Sequence, residues 1–183
     1  FSIVWVRFKL KLEHANKLYD DGRLEEVYKI YNDLLSETLW SKERFILDLK
    51  RAKLFYDVGN YKRFLELLDL LSNDVKKYPK EEIFYRLLKA FDFEIKNEWS
   101  KAKVELENIY ESTNKRHFRL QACNNIARIE LFLGHEVSAK TYYEKAYEIL
   151  KQKPNAKSFP IVIHNLLMAY GRSKETQKGE KLL

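Results

Sequence analysis

The fold is decided by the stretch Ala15–Leu34, ANKLYDDGRLEEVYKIYNDL, and by its near copy Ala52–Leu71, AKLFYDVGNYKRFLELLDLL, which begins 37 residues later. Both follow the pattern Ala-x-x-apolar-x-x-x-Gly-x-apolar-x-x-apolar, and further apolar residues follow four and then three positions on. Apolar residues at spacings of three and four indicate an amphipathic α-helix. The glycine in the middle favours a left-handed turn that ends one helix before the next begins. Each copy therefore predicts two helices joined at a glycine.

The same pattern recurs along the chain about every 37 residues, which predicts five helix pairs and ten helices. The junctions inside the first four pairs are predicted at Gly22, Gly59, Asn97 and Gly134. The predicted helix pairs are 8–21 with 24–37, 42–58 with 61–77, 80–96 with 99–113, 116–133 with 136–152, and 159–171 with a last helix from 174. The corresponding repeats are 8–40, 41–79, 80–114, 115–155 and 156–183, and residues 1–7 form a separate lead-in.

Composition supports an all-α fold. The 183 residues contain only 5 glycines and 3 prolines, which is too few for the many tight turns of an all-β protein. The hydrophobic fraction of 45% is sufficient for a core. Alanines occupy equivalent positions of the first helices, where a small side chain lets two helices approach closely: Ala15, Ala52, Ala90 and Ala127.

The net charge of +7 is moderately basic, but 27 acidic residues are interspersed with the 34 basic ones. This mixture is typical of a solvated helical surface and disfavours a nucleic-acid partner. The basic segment at 114–119 is interpreted as a charged loop between repeats.

The sequence lacks the motifs of the common enzyme classes, such as a phosphate-binding loop, a dinucleotide glycine fingerprint, a zinc-protease helix or a nucleophilic serine turn. The single cysteine, Cys123, is predicted to be a buried thiol. The histidines have no spacing typical of metal ligands: His14, His117, His135 and His164. We therefore expect a protein that is not an enzyme and that needs no cofactor and no metal.

The first six residues, FSIVWV, are mostly apolar, and Arg7, Lys9 and Lys11 follow them. This order fits the basic cytoplasmic flank of a membrane span that precedes the fragment. It equally fits a first helix that packs its apolar face on the repeats. The expected location is cytoplasmic, either free or at the cytoplasmic face of a membrane.

The repeats resemble the tetratricopeptide repeat over residues 8–183. The third copy carries Ala90, Phe93, Asn97, Trp99, Ala102, Leu106 and Ile109 at the matching positions, and the fourth carries Ala127, Gly134, Ala139, Tyr143 and Ala146. The period is longer than the 34 residues of the family, and Glu130 and Glu136 stand where the family has apolar residues. The resemblance implies an all-α solenoid of about five helix-turn-helix repeats, wound as a right-handed superhelix.

In that family the first helices of the pairs line a concave groove that binds a peptide or a helix of a partner protein. By position, the groove candidates here are Asn16, Lys50, Lys53, Tyr56, Phe84, Leu87, Phe91, Asn124, Asn125, Arg128, His164 and Asn165. The set combines basic residues at one end, apolar residues in the centre and amides at the other end. It does not match the family's clamp for chaperone C-terminal tails, because Leu12, Leu87 and Phe91 stand where that clamp needs polar residues.

The expected function is a non-catalytic scaffold or adaptor that binds a partner peptide in the groove. One alternative is a regulatory sensor module of a larger signalling protein. Another is RNA binding, because pentatricopeptide repeats have a similar pattern. Dimerisation through the short C-terminal repeat is also expected, since a terminal repeat without a polar cap exposes apolar surface.

Overall fold

The computed structural model describes residues 2–38, 41–152, 159–172, 174 and 176–181. Helices and the short turns that join them make up these ranges. The α-helices are α1 (Ser2–Asp20), α2 (Leu24–Glu37), α3 (Ser41–Asp57), α4 (Tyr61–Ser72), α5 (Glu82–Ile95), α6 (Trp99–Ser112), α7 (Arg116–Phe132), α8 (Glu136–Lys151), α9 (Phe159–Arg172) and α10 (Thr176–Glu180). The prediction of an all-α helical-repeat fold is confirmed.

The four predicted junctions are confirmed by one recurring backbone geometry. Gly22, Gly59, Asn97 and Gly134 have φ angles of 76°, 74°, 58° and 81°. At each junction the amide after this residue donates to the carbonyl five residues before it, for example Arg23 N to Leu18 O at 2.9 Å and His135 N to Glu130 O at 2.8 Å. This bond defines a Schellman motif, which requires a left-handed residue at the helix end. Glycine adopts that conformation without strain, and asparagine tolerates it better than most other residues.

Two helix boundaries differ from the prediction. Helix α1 begins at Ser2 rather than near residue 8, so most of the predicted lead-in forms its first turns. Helix α4 ends at Ser72 rather than at residue 77, and two short 3-10 turns, Val75–Lys77 and Pro79–Glu81, follow it. Proline disfavours the α conformation in the preceding residue, in agreement with the non-helical backbone of Tyr78, where φ is −128° and ψ is 66°. None of the helices in the described ranges is both long and apolar enough to cross a bilayer.

The residues fall into two compact units, Phe1–Leu88 and Lys89–Leu183, and the boundary lies within α5. In unit 1, α1 packs on α2, α2 on α3, and α3 on α4. One of its core clusters contains Phe8, Ala15, Leu18, Val27, Tyr31, Leu34, Leu47 and Leu54. Ala15 is fully buried, as its predicted place between close helices requires.

In unit 2, α6 packs on α7, α7 on α8, α8 on α9, and α9 on α10. Two of its core clusters lie along α7, α8 and α9 and include Cys123, Ala127, Ala146 and Leu166. Ala127 and Ala139 are fully buried. The alanines that the sequence placed at close helix contacts are therefore core residues.

Two side chains of the fourth repeat depart from the expected pattern of burial. Val137 follows the helical spacing of the apolar residues of α8, but it is 72% exposed. Glu130, which occupies an apolar slot of the repeat, is only 2% exposed. Its carboxylate lies 2.7 Å from Lys103 Nζ and 3.0 Å from His135 Nδ1. A buried charge is tolerated where it is paired, so these bases compensate for the loss of hydration.

Candidate functional site

Three groove candidates of unit 1, Asn16, Lys50 and Lys53, form a polar cluster with Tyr19 and Asp57 between α1 and α3, here called the lysine site. Lys50 and Lys53 are one helical turn apart on α3, so their side chains project from one face. Lys50 Nζ donates to Asn16 Oδ1 at 2.9 Å, and Lys53 Nζ donates to Tyr19 Oη at 3.1 Å. Lys53 also donates to both oxygens of Asp57, at 2.5 and 2.6 Å.

Burial sets the protonation of the lysine site. Removal of water disfavours the charged form, and it lowers the pKa of Lys53 to about 8 and raises the pKa of Asp57 to about 7. The pKa of Lys50 is also lowered by burial. The site therefore holds two amines whose charge is costly to bury. A further anion near these amines would stabilise their protonated form.

Aromatic rings stand beside the amines. The ring centroid of Tyr56 lies 5.9 Å from that of Tyr61 and 5.5 Å from that of Phe64. Lys53 Nζ lies 6.0 Å from the Tyr56 ring and 5.7 Å from the Tyr19 ring. Half-buried Tyr56 can therefore offer apolar contact next to the basic groups.

The predicted apolar centre is only partly presented to solvent. Phe84 is half-buried. Leu87 is fully buried and Phe91 is 3% exposed. The prediction that Leu87 and Phe91 line a groove is corrected, because side chains removed from solvent to this extent pack in the core and do not meet a ligand.

In unit 2, Asn125 and Arg128 are one turn apart on α7. Arg128 Nη2 donates to Asn125 Oδ1 at 3.2 Å and forms a short ion pair with Glu94 of α5. Asn125 Nδ2 donates to the Gln121 carbonyl at 2.8 Å. The side chain of Glu94 is only 4% exposed, whereas that of Arg128 is 50% exposed. Arg128 thus neutralises a buried carboxylate while part of its guanidinium group reaches solvent.

The other candidates of unit 2 lie on α7 and α9. Asn124 is half-buried, and no hydrogen-bond partner for its Oδ1 atom is found within the described residues. His164 is exposed and Asn165 is half-buried. The groove candidates that are half-buried or exposed are Asn16, Lys50, Lys53, Tyr56 and Phe84 in unit 1, and Asn124, Asn125, Arg128, His164 and Asn165 in unit 2.

Several of these side chains bond to a residue 34 or 35 positions away in the chain. Lys50 pairs with Asn16, Lys53 with Tyr19, and Arg128 with Glu94, each across 34 residues. Tyr19, Asp57 and Glu94 were not among the residues predicted from the sequence. Inspection of the position 34 residues before each basic candidate would have found Tyr19 and Glu94, because first helices of successive repeats lie side by side.

Cys123 is a buried thiol, as the sequence predicts. Burial raises the pKa of the Cys123 thiol to about 12, so it is a poor nucleophile at neutral pH. Across the described part of the chain, no group of three or more His, Cys, Asp or Glu residues is arranged to hold a metal ion.

No protein-family model matches the chain, and no curated protein matches it. Solved structures, however, share its fold. A Rap protein complexed with competence and sporulation factor superposes with a TM-score of 0.79 at 14% identity, over 96% of this chain and 51% of that one. PlcR of Bacillus thuringiensis, in complex with the peptide PapR7 and DNA, gives 0.76 at 16% identity, over 100% of this chain and 69% of its own.

The TPR-like repeats of a kinesin light chain from Podosopora anserina give a TM-score of 0.58 at 19% identity, over 96% of this chain and 91% of theirs. This chain spans about half the length of the Rap protein. Identities this low establish the fold alone. The chain therefore has the fold of the tetratricopeptide-like helical repeats.

Proposed function

We propose that this chain is a non-catalytic protein-interaction module that binds an acidic segment of a partner peptide. The observation that carries the proposal is the lysine site of unit 1. Two amines one turn apart, Lys50 and Lys53, are held by Asn16 and Tyr19 beside the ring of Tyr56. Amines held in place and partly desolvated bind a carboxylate more strongly than mobile surface lysines do.

The lysine site can supply the three kinds of contact that peptide recognition needs. Lys50 and Lys53 bind an acidic side chain or a C-terminal carboxylate. The amide of Asn16 can donate to a peptide carbonyl. Tyr56 gives apolar contact area with little loss of conformational entropy, because its ring is already packed against Tyr61 and Phe64. Asn124, Asn125 and Arg128 offer a similar set in unit 2.

The test is binding of a panel of acidic and neutral peptides to the full chain, measured by calorimetry. We expect acidic peptides to bind with submillimolar dissociation constants, and Lys53→Glu to weaken them at least tenfold, which is about 1.4 kcal/mol. The matched control is Lys42→Glu, which makes the same charge change on the exposed first turn of α3. Equal losses in the two variants, or none in either, would refute the assignment of the lysine site.

Arg128→Glu tests the cluster of Asn124, Asn125 and Arg128 in unit 2. The control is Lys101→Glu, on the exposed face of α6. If acidic peptides bind at this set, Arg128→Glu weakens them and the control does not. Because Arg128 also neutralises Glu94, circular dichroism of the variant must first show that the helices are retained. An unchanged affinity in a folded Arg128→Glu protein would remove unit 2 from the proposal.

A second function, a regulatory module that senses a short peptide, is supported by two of the similar structures. The Rap protein is in complex with competence and sporulation factor, and PlcR is in complex with the peptide PapR7 and DNA. A sensor must change its structure or its dynamics when the peptide binds. Hydrogen exchange of the full chain with and without a bound peptide separates the two functions. Protection that extends to helices far from the peptide supports the sensor, whereas protection confined to the contacted helices supports the scaffold.

A further inference from the structure

Unit 1 has a second feature, an apolar surface pocket of about 420 Å³ that is formed by α2, the end of α3 and the start of α4. We call it the α2–α4 pocket. Its lining residues are Leu24, Glu25, Tyr28, Lys29, Leu54, Phe55, Val58, Asn60 and Arg63. The volume falls within the range of ligand pockets, which is about 300–1,000 Å³. None of these residues belongs to the lysine site.

The interior of the α2–α4 pocket is hydrophobic and aromatic. Leu54 and Phe55 are 2% and 6% exposed and form part of the core, whereas Val58 is 52% exposed. The rings of Tyr28 and Phe55 lie 6.0 Å apart with a tilt of 55° between their planes. Filling the space between the two rings with a large apolar group is favourable, because it removes apolar surface from water.

The mouth of the pocket carries two basic side chains, Arg63 and Lys29, and Arg63 is held in place by a hydrogen bond. Arg63 Nη1 donates to Tyr28 Oη at 3.3 Å, and its guanidinium carbon lies 5.8 Å from the Phe55 ring centroid. Lys29 lines the same rim. No carboxylate in the described ranges forms an ion pair with Arg63 or Lys29, although Glu25 is nearby on the rim. A guanidinium group has five N–H donors, so the bond to Tyr28 leaves others for an anionic ligand.

We propose that the α2–α4 pocket binds a large apolar side chain, such as phenylalanine or leucine, from a peptide that carries carboxylates on the neighbouring residues. The apolar side chain fills the space between Tyr28, Phe55 and Val58. The adjacent carboxylates meet Arg63 and Lys29. The two cations outnumber the single carboxylate of Glu25 on the rim, so the net positive charge favours acidic flanking residues.

The experiment uses the full chain and three capped tripeptides: Asp-Phe-Asp, Asn-Phe-Asn and Asp-Ala-Asp. Chemical-shift changes of the methyl groups of Leu54 and Val58 report binding at the pocket. We expect Asp-Phe-Asp to bind with a dissociation constant on the order of 0.1–1 mM. Asn-Phe-Asn should bind about fivefold more weakly, because two exposed ion pairs are lost. Asp-Ala-Asp should bind at least tenfold more weakly, because the buried ring is lost.

Two variants complete the test. Val58→Asp places a carboxylate at the mouth of the pocket and should weaken Asp-Phe-Asp at least tenfold. The matched control, Val104→Asp, changes a valine that is 56% exposed on α6 and should leave the affinity unchanged. Because the affinity is read from methyl groups that line the pocket, it is separated from binding of the same peptide at the lysine site. Retained helicity of each variant is checked by circular dichroism.

Three results would overturn the proposal. The first is equal affinity for Asp-Phe-Asp and Asp-Ala-Asp. The second is undiminished binding to a folded Val58→Asp protein. The third is a shift of the Val58 methyl signals that follows the protein concentration instead of the peptide concentration, because that result would assign the pocket to a second copy of the chain.

Discussion

The buried carboxylate of Glu130 gives the sharpest prediction for the stability of this fold. Its side chain is 3% exposed, and Lys103 Nζ, on the neighbouring helix α6, lies 2.7 Å from it. Lys103→Met keeps the aliphatic part of the side chain but removes the charge. Among the described residues, the carboxylate then keeps only His135 as a nearby base. We expect this variant to be less stable than the wild type.

The magnitude follows from the burial of the two partners. Removal of one partner of a fully buried ion pair costs about 3–5 kcal/mol. Lys103 is 33% exposed, so water offsets part of the loss, and we expect about 2 kcal/mol. For a chain of this length, 1 kcal/mol lowers Tm by about 2–4 °C, so the expected decrease is about 4–8 °C. Thermal unfolding monitored by circular dichroism at pH 7 measures it.

A double-mutant cycle isolates the pair. Glu130→Leu restores the apolar residue that the repeat pattern favours at this position, so the double variant should recover most of the stability that Lys103→Met loses. The expected coupling is about 1–2 kcal/mol. Lys101→Met is the control, because its pair with Glu98 is exposed and should contribute less than about 0.5 kcal/mol. A Lys103→Met protein as stable as this control, or a double variant no more stable than Lys103→Met, would refute the reasoning.

The same pair predicts a dependence on pH. Burial opposes ionisation of Glu130, but hydrogen bonds from Lys103, Ser138 and His135 together lower its pKa below the usual value. A carboxyl group with a lowered pKa in the folded state stabilises the fold above the unfolded-state pKa, about 4.3 for glutamate, and this stabilisation is lost as the pH falls through the folded-state value. Between pH 7 and pH 3, the wild type should therefore lose more stability than the Glu130→Leu variant.

Three further predictions concern the junctions, the thiol and the lysine site. Gly134→Ala should destabilise the folded protein by about 1–2 kcal/mol, because the φ angle of Gly134 is +81°. Gly171→Ala, at the end of α9, should leave the stability unchanged or raise it slightly. Chemical denaturation of both variants tests this difference. Cys123 should resist thiol reagents in the native protein and react readily in urea, as a colorimetric thiol assay would show. Acidic peptides should bind more weakly as the pH rises from 7 to 9, because Lys53 with a pKa of about 8 loses its charge. They should bind more tightly toward pH 6, because Asp57 with a pKa of about 7 becomes protonated and no longer competes with the peptide for Lys53. Calorimetry across this pH range tests both directions.

The helix pairs could be predicted because their signals are local. A left-handed residue ends each first helix, and only a few residues tolerate that backbone conformation, so Gly22, Gly59, Asn97 and Gly134 mark the turns in the sequence itself. The alanines at close helix contacts are equally local, since a larger side chain would hold the helices apart. Boundaries without such a signal were predicted less well. Helix α1 begins at Ser2, where no residue of the sequence marks a start.

The candidate site could be predicted only in part, because burial depends on residues distant in the chain. Position in the repeat placed Leu87 and Phe91 with the groove residues, but both are core side chains in the structure. The partners of Lys53 and Arg128 were missed for the same reason. Tyr19 and Glu94 lie 34 residues earlier, and they become neighbours only when successive first helices pack side by side.

The amino-acid sequence is sufficient to predict that the chain forms antiparallel helix pairs and where each pair turns, since backbone conformation and helical periodicity act over a few residues. Which polar groups are desolvated depends instead on how the helices pack. The packing of α1 against α3 alters the pKa values of Lys53 and Asp57, and the packing of α6 against α7 buries Glu130 beside Lys103. The α2–α4 pocket likewise exists only where three helices meet. Desolvation and shape depend on groups brought together from distant parts of the chain, so they emerge only when the helices assemble.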